Sequence, residues 1–122
     1  MPAKIIMVVD DEENILQLMR AVLEEAKYNV ATASNGEECL QKLKKTKPDL
    51  VLLDMMMPGM SGREVCERIR KNPKTKNTKV IFVTVARFSE IGKDTLDRLK
   101  VLDYITKPFD NKDLLKSVKK FA

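Results

Sequence analysis

The sequence predicts an α/β fold, a doubly wound, five-stranded parallel sheet with helices on both faces. Short apolar runs alternate with segments whose apolar residues recur at helical spacing, and this strand–helix unit occurs five times. The apolar runs are almost continuous, which is typical of strands buried on both faces of a parallel sheet. The 122 residues contain no repeat, low-complexity stretch or linker, so we expect one domain over residues 1–122.

Five short apolar runs predict the strands. They are residues 4–9, 28–33, 49–53, 79–83 and 103–105. The first (KIIMVV) is rich in β-branched residues, and the third (DLVLL) and fourth (KVIFV) are apolar almost throughout. Four of the runs end at polar residues. These are Asp10 after the first, Asp54 after the third, Thr84 after the fourth and Lys107 shortly after the fifth.

Five segments between and after the strands predict helices. They are residues 15–26, 34–45, 62–71, 88–100 and 110–121. In the first, apolar residues at i, i+3, i+4, i+7, i+8 and i+11 define one face. They are Ile15, Leu18, Met19, Val22, Leu23 and Ala26. Residues 34–37 (SNGE) resemble a capping box, and Asp110 is expected to cap the last helix. The fourth helix is the weakest, since Gly92 lies inside it.

Composition excludes several classes of protein. The chain has no histidine, so it cannot use a Ser-His-Asp triad, a His-ligated metal or a phosphohistidine of its own. Its two cysteines, Cys39 and Cys66, form neither a disulfide scaffold nor a zinc site, which favours a reducing cytoplasmic compartment. Any metal must therefore be bound by oxygen, which indicates Mg²⁺, Mn²⁺ or Ca²⁺.

The basic excess does not predict a nucleic-acid protein. The formal net charge is +5, but solvated faces account for most of the lysine clusters, and no nucleic-acid-binding module is recognisable. The basic last helix could instead help to select an acidic protein partner. We expect no association with membranes, because no apolar run approaches the ~20 residues of a membrane span and no signal peptide is recognisable.

Polar side chains follow four strands whose carboxyl ends share one edge of the sheet, where open α/β sheets bind their ligands. Asp10, Asp11, Asp54, Thr84 and Lys107 should therefore converge. Three neighbouring carboxylates repel one another, and a divalent cation such as Mg²⁺ removes this conflict. With Lys107, the metal would balance the three negative charges and neutralise phosphoryl oxygens, while a carboxylate could act as the nucleophile.

These residues lie in motifs that resemble the response-regulator receiver domain of two-component signalling, over essentially the whole chain. The motifs are residues 8–11 (VVDD), 54–62 (DMMMPGMSG), 80–84 (VIFVT) and 103–109 (DYITKPF). The order and spacing of all four carry the resemblance. It implies a flavodoxin-like (βα)5 fold in a single-domain receiver similar to the chemotaxis regulators.

The resemblance also implies roles for individual residues. Asp54 would accept a phosphoryl group from the phosphohistidine of a sensor histidine kinase or phosphotransfer protein. Asp10, Asp11, Asp54 and the backbone carbonyl of Met56 would hold Mg²⁺. Lys107 would pair with the phosphate, across a cis bond to Pro108.

For the response to phosphorylation, the resemblance implies a switch. Thr84 would bond a phosphoryl oxygen and move, and Tyr104 would change rotamer with it. The output would be a population shift on the face formed by the fourth helix, fifth strand and fifth helix, which binds a downstream target protein. The domain would catalyse only its own phosphorylation and dephosphorylation, as a monomer or a phosphorylation-dependent dimer.

Several positions depart from the family pattern. Val85 stands where Ala or Gly is usual, which could narrow access to Asp54, and residues 99–102 replace a usual Gly-Ala segment. Met56 and Ala86, two residues after Asp54 and Thr84, carry no group that would position an attacking water. We therefore expect a long-lived phosphoryl-aspartate.

Other functions remain open at this point. A Mg²⁺-dependent phosphohydrolase that forms an aspartyl-phosphate would need a second Asp two residues after the nucleophile, where this chain has Met56. A degenerate, unphosphorylated interaction domain is disfavoured by the complete acidic set and Lys107. Within the receiver class, the chain could be a free-standing regulator, a phosphorelay intermediate, or a receiver cut from a larger regulator or hybrid kinase.

Overall fold

Five parallel strands form one sheet in the computed structural model, which describes residues 3–122 apart from the side chain of Phe88. The strands are β1 (Ile5–Val9), β2 (Asn29–Ala33), β3 (Leu50–Leu53), β4 (Val80–Thr84) and β5 (Asp103–Thr106), in the order β2-β1-β3-β4-β5. The strand order changes direction between β1 and β3, the point where such sheets bind ligands. The predicted fold class is confirmed.

Within residues 3–122, six helices connect or follow the strands. They are α1 (Glu13–Glu25), α2 (Gly36–Leu43), α3 (Gly62–Lys71), α4 (Phe88–Ile91), α5 (Lys93–Arg98) and α6 (Asn111–Phe121). The predicted fourth helix is wrong as a single element, because it is broken at Gly92 into α4 and α5. Gly92 has φ +86°, a left-handed conformation that an α-helix cannot contain and that glycine adopts at little cost.

Helix caps follow the sequence with one correction. The Asp110 side chain accepts the N–H of Lys112 at 2.9 Å, which confirms the predicted cap of the last helix. The predicted capping box at 34–37 is wrong by one residue. Asn35 is the cap and accepts the N–H of Glu38 at 2.8 Å, while Glu38 accepts the N–H of Ser34 at 2.7 Å.

The core has two layers, one on each face of the sheet. Because successive strand residues point to opposite faces, Met7 and Val9 of β1 belong to one layer, and Ile6 and Val8 to the other. The first layer packs against α2, α3 and α5, and the second packs against α1 and α6.

Two details of burial refine the predicted faces. The predicted inward face of α1 is wrong at Leu18, which is 45% exposed, whereas its neighbour Leu16 is buried. Cys39 and Cys66 are both fully buried in the layer beneath α2 and α3. In the described part of the chain, no helix has the length and apolar character needed to cross a bilayer.

Arg70 of α3 joins two connections at the amino-terminal edge of β4 and β5. Its Nε donates to the carbonyl of Leu99 at 2.7 Å, and its Nη1 donates to those of Lys76 and Thr78 at 2.9 and 2.7 Å. Lys100, the residue after Leu99, has φ +56°, where a helix end commonly uses glycine. A charged donor thus satisfies the carbonyls around a turn that replaces the usual Gly-Ala segment.

We expect Arg70→Met to lower the free energy of unfolding by about 2 kcal/mol, because it removes charge-assisted hydrogen bonds to four carbonyls, including a long one to Lys100. The matched control is Arg63→Met on the same helix. Arg63 is 53% exposed and makes only a long ion pair with Glu67, so its loss should cost under about 0.5 kcal/mol. Urea denaturation of both variants measures the difference, and equal losses would contradict this role for Arg70.

Candidate functional site

The sheet register brings the predicted site residues to one edge. Val9 of β1 pairs with Leu53 of β3, so the next residues, Asp10 and Asp54, lie side by side beyond the strands. The N–H of Asp54 donates to the carbonyl of Val9 at 3.0 Å and extends this pairing. The carboxyl ends of β4 and β5 follow along the same edge. The two buried carboxylates are therefore neighbours because their strands are neighbours.

Three carboxylates meet at this edge. Asp10, Asp11 and Asp54 each offer one oxygen, and these oxygens lie within 4.8 Å of one another. Asp10 and Asp54 are buried, at 2% and 4% exposure, while Asp11 is exposed. A set of carboxylate oxygens that is open to solvent on one side suits Mg²⁺, which keeps several waters and uses few protein ligands. The acidic cluster therefore fits the binding of a magnesium ion.

Lys107 provides the positive charge in the cluster. Its Nζ donates hydrogen bonds to Asp10 Oδ2 and to Asp54 Oδ2, the latter at 3.2 Å. The Lys107 side chain is only 9% exposed, so the contacts lie in a region that screens charge poorly. The peptide bond from Lys107 to Pro108 is cis, in agreement with the expectation from the sequence. One buried ammonium thus bridges residues from two different strands.

The pKa values of Asp10 and Lys107 are both raised, because burial and the neighbouring charges act on these two groups in different ways. Burial raises the pKa of Asp10, and the nearby Asp54 charge adds to the rise. The Lys107 ammonium and a hydrogen bond from the Glu12 N–H oppose it without cancelling it. Burial alone would lower the pKa of Lys107, but the hydrogen bond to Asp10 and the charges of Asp54 and Asp10 leave that pKa raised. The lysine therefore stays charged, and additional positive charge would favour the ionised form of Asp10.

Backbone donors orient the two buried carboxylates. The N–H of Glu12 donates to Asp10 Oδ1 at 2.9 Å, and the N–H of Met56 donates to Asp54 Oδ1 at 3.0 Å. The family resemblance implied the Met56 carbonyl as a metal ligand, but neither it nor the sequence pattern indicated that the Met56 N–H would bind Asp54. The Met56 side chain itself is 59% exposed. Each buried carboxylate is thus held by a backbone N–H on one oxygen and by Lys107 on the other.

Gly62 is a further residue that the sequence analysis did not assign to the site. A Cβ at this position would collide with the carbonyl oxygen of Asp54 and would lie 2.7 Å from the Cα of Met55. The N–H of Gly62 also donates to the carbonyl of Met55 at 3.1 Å. The start of α3 thus packs directly against the backbone of Asp54 and fixes where that residue lies. The glycine in the 54–62 motif was the available signal for this close approach.

Thr84 is the last residue of β4, and Tyr104 lies on the neighbouring strand β5. Thr84 is fully buried, its Oγ1 accepts the N–H of Ala86 at 3.3 Å, and its carbonyl accepts the N–H of Lys107 at 2.9 Å. Tyr104 is half-buried and packs against the core layer beneath α2 and α3. Burial raises the pKa of its phenol, against the effect of a hydrogen bond with Thr106. Thr84 is thus tied to the backbone of Lys107, whereas Tyr104 lies in the core behind it.

The thiols of Cys39 and Cys66 are unreactive at neutral pH. Burial raises the pKa of Cys39 to about 12 and that of Cys66 to about 11. Both thiols stay protonated at neutral pH, and a protonated thiol is a poor nucleophile and a poor metal ligand. The chemistry of the site therefore depends on oxygen and nitrogen groups.

A family comparison agrees with this arrangement. The family model of the response regulator receiver domain matches residues 6–119. The chain belongs to this family. Receiver domains of two-component systems interact with histidine kinases and downstream effectors, and the acidic cluster found here fits the Mg²⁺ binding of such domains.

Individual relatives support the same assignment. The alkaline phosphatase synthesis transcriptional regulatory protein PhoP of Bacillus subtilis (strain 168) is 42% identical over 116 residues, which are 95% of this chain and 47% of that protein. This receiver domain thus spans about half the length of that relative.

Solved structures of receiver proteins are also similar. The chemotaxis protein CheY4 of Vibrio cholerae has a TM-score of 0.91 at 29% identity, covering 98% of this chain and 99% of that one. The response regulator TrrA of Thermotoga maritima, solved in complex with Mg²⁺-BeF, has a TM-score of 0.84 at 42% identity with the same coverage.

We expect Asp10→Asn to stabilise the metal-free receiver domain at neutral pH, on the order of 1 kcal/mol, because it removes one of two buried carboxylates that share Lys107. Because the pKa of Asp10 is raised in the folded state, the protonated carboxyl stabilises the fold in acid. This contribution to stability is lost as pH rises through the folded-state pKa. The gain should therefore vanish in acid. Urea denaturation across this pH range measures it.

Magnesium should reverse the order of stability. Binding of Mg²⁺ stabilises the folded wild type by mass action, whereas Asp10→Asn should respond much less because it lacks a ligand. Asp97→Asn on α5 is the matched control, since Asp97 is exposed and lies outside the cluster. Equal stability at every pH, or equal stabilisation of both proteins by Mg²⁺, would contradict this account of Asp10.

Proposed function

We propose that this receiver domain is a phosphoacceptor of a two-component system. Asp54 takes a phosphoryl group from the phosphohistidine of a sensor histidine kinase or phosphotransfer protein, with Mg²⁺ as cofactor. The observation that carries the proposal is the convergence of three carboxylates on the single ammonium of Lys107. Such a site has two more negative charges than Lys107 alone can balance, and it has an exposed ligand, Asp11, at its open side.

The carboxylates supply the metal site. Asp10, Asp11 and Asp54 would hold Mg²⁺, together with the carbonyl oxygen of Met56 as the family resemblance implies. When bound, Mg²⁺ supplies positive charge to the oxygens of the transferring phosphoryl group. Asp10 also holds Lys107 through their hydrogen bond, so the ammonium stays at the site when the charge on Asp54 changes.

Asp54 acts as the nucleophile. One of its carboxylate oxygens forms a bond to phosphorus while the bond between phosphorus and the imidazole nitrogen of the donor breaks. The Met56 N–H on Oδ1 and Lys107 on Oδ2 fix the carboxylate plane before the reaction, which lowers the entropic cost of alignment. Lys107 then pairs with a phosphoryl oxygen, since it already lies within hydrogen-bond distance of Asp54.

The output is a shift of conformational populations on one face. Thr84 moves to bond a phosphoryl oxygen, and its carbonyl contact with the Lys107 N–H couples this movement to the connection after β5. Tyr104, half-buried on β5, changes its rotamer in response. The responding face comprises α4, α5, β5 and α6, because the predicted fourth helix is divided here, and it binds a downstream target protein.

This function differs from that of a conventional enzyme. The domain, which extends over residues 1–122, catalyses its own phosphorylation and dephosphorylation in the cytoplasm, as a monomer or a phosphorylation-dependent dimer. A Mg²⁺-dependent phosphohydrolase is the less favoured alternative. Its pattern requires an Asp where Met56 lies, and a thioether can neither donate nor accept a proton there. A phosphorelay intermediate, or a receiver that is part of a larger regulator or hybrid kinase, would use the same site.

Incubation with acetyl phosphate and Mg²⁺ should add the mass of one phosphoryl group to the wild type, as measured by intact mass spectrometry. Asp54→Asn should gain none, because an amide is not a nucleophile here, and chelation of Mg²⁺ should abolish the gain in the wild type. Asp97→Asn, an exposed carboxylate on α5, should be phosphorylated normally. Phosphorylation of Asp54→Asn would contradict the proposal, and so would catalytic turnover of the donor without a phosphoprotein.

The phosphorylated wild type should lose its phosphoryl group slowly, because Met56 and Ala86 offer no side-chain group to orient a water. Met56 is 59% exposed, so Met56→Glu should be tolerated and should accelerate hydrolysis roughly tenfold, short of the 10²–10⁴-fold of a dedicated general base. Leu102→Glu, at an exposed apolar residue outside the cluster, is the control. Rapid spontaneous loss from the wild type, with Mg²⁺ and no phosphatase, would overturn the expectation.

A further inference from the structure

A wide groove lies between α2 and α3 on the face of the sheet that these helices cover. Its other walls are the loops that precede β3 and β4, so it reaches the end of the sheet opposite to Asp10 and Asp54. The groove has a volume of about 1540 Å³. That exceeds the ~300–1,000 Å³ of sites for small molecules, and its shape follows two helices. The dimensions therefore suit a polypeptide segment better than a metabolite.

Part of the groove lining is apolar, and the rest is polar or charged. Leu40 and Leu43 of α2 line one side, Met60 lies before α3, and Pro48 and Pro73 come from the two loops. Leu40 and Met60 are half-buried and pack against the core layer with part of their surface open to the groove. Among the described lining residues, none is aromatic, so the groove lacks the stacking surface that single-stranded nucleic acids use.

Four exposed cations also line the groove. They are Lys44, Lys47, Arg68 and Lys74. Within the described part of the chain, no carboxylate lies at ion-pair distance from any of the four. Glu37 is the one acidic residue in the lining, which leaves three positive charges. The two helix C-termini offset only about one of them, since each is equivalent to about half an elementary charge.

We propose that this groove binds an acidic amphipathic segment of a partner protein. Apolar side chains of the segment would cover Leu40, Leu43 and Met60, and its carboxylates would face the unpaired cations on the walls. A concave site with an apolar floor and a charged rim is complementary to such a segment. A flat anionic surface such as a membrane would reach the rim and leave the floor uncovered. This proposal concerns a second surface and does not depend on phosphorylation of Asp54.

The test is a peptide-display selection from a random linear library on the folded wild-type protein. Binders are first depleted on the double variant Lys44→Glu/Arg68→Glu, whose exposed side chains can be changed without disturbing the core. Enriched peptides should combine several acidic residues with apolar ones at helical spacing. By fluorescence anisotropy, such a peptide should bind the double variant at least roughly tenfold more weakly than the wild type.

Matched controls separate this groove from general charge attraction. The control Lys27→Glu/Lys119→Glu makes the same change in net charge at two exposed positions outside the groove, Lys27 just after α1 and Lys119 on α6. This variant should bind the peptide with an affinity within about twofold of the wild type. Asp54→Asn should bind the selected peptide with the affinity of the wild type. A failure of the phosphoacceptor proposal can therefore be distinguished from a failure of the groove proposal.

Three results would overturn the proposal. One is a selection that enriches no peptide, or only peptides without acidic residues. Another is an affinity that falls equally in the groove variant and in the control variant. The third is binding of anionic lipid vesicles or duplex DNA that is lost in Lys44→Glu/Arg68→Glu while no peptide binds, because the occupant would then be a membrane or a nucleic acid.

Discussion

The shared hydrogen bonds of Lys107 are the interaction on which the site depends. Asp10 and Asp54 are buried side by side because β1 and β3 are adjacent and in register. Two ionised carboxylates in such a place would repel strongly, and removing either from water is costly. One ammonium, shared by both, offsets one of the two charges, and with Asp11 the cluster carries two uncompensated negative charges. The raised pKa of Asp10 results from its burial and from the nearby charge of Asp54. A site with a surplus of buried negative charge gains stability when a divalent cation binds, and this links the architecture of the sheet to the proposed magnesium and phosphoryl chemistry.

Strand register and close packing fix the positions of the buried carboxylates of Asp10 and Asp54. A slip of one residue between β1 and β3 would turn every inward side chain of a strand to the other face, and both core layers forbid this. Gly62 adds a second constraint, since α3 can begin against the Asp54 backbone only without a side chain there. The N–H groups of Glu12 and Met56 then fix the two buried carboxylates. The position of Asp54, the proposed nucleophile, is thus set by backbone geometry from three elements, and the side chains add charge to a frame that already exists.

Sequence patterns predicted the parts of the molecule that follow from periodicity. The five strands, the parallel order and the convergence of Asp10, Asp54 and Lys107 all follow from apolar runs that end in polar residues. The errors fall where local geometry competes with pattern. A single fourth helix was expected because its apolar residues keep helical spacing, yet Gly92 adopts positive φ and divides it. On α1 the helical spacing could not fix the centre of the inward face, because the buried residues Leu16, Met19 and Leu23 are also three and four apart, and Leu18 lies outside that set. The donors from Glu12 and Met56 could not be predicted at all, since every residue carries an N–H and only the fold decides where it points.

The same topology separates charge along the sheet. In parallel strand–helix units, the helical segment after each strand starts at one edge of the sheet and ends at the other, and the side chains follow the helix dipoles. Each of the six helices has an acidic residue in its first turn, and four have a basic residue in the last. The acidic cluster and the basic groove are therefore consequences of one arrangement at opposite ends. A five-residue strand is about 16 Å long, roughly twice the Debye length of about 8 Å at physiological ionic strength. Screened charge alone cannot couple the two ends over that distance. Any influence of phosphorylation on the groove would have to pass through the core layer that α2 and α3 share with Tyr104.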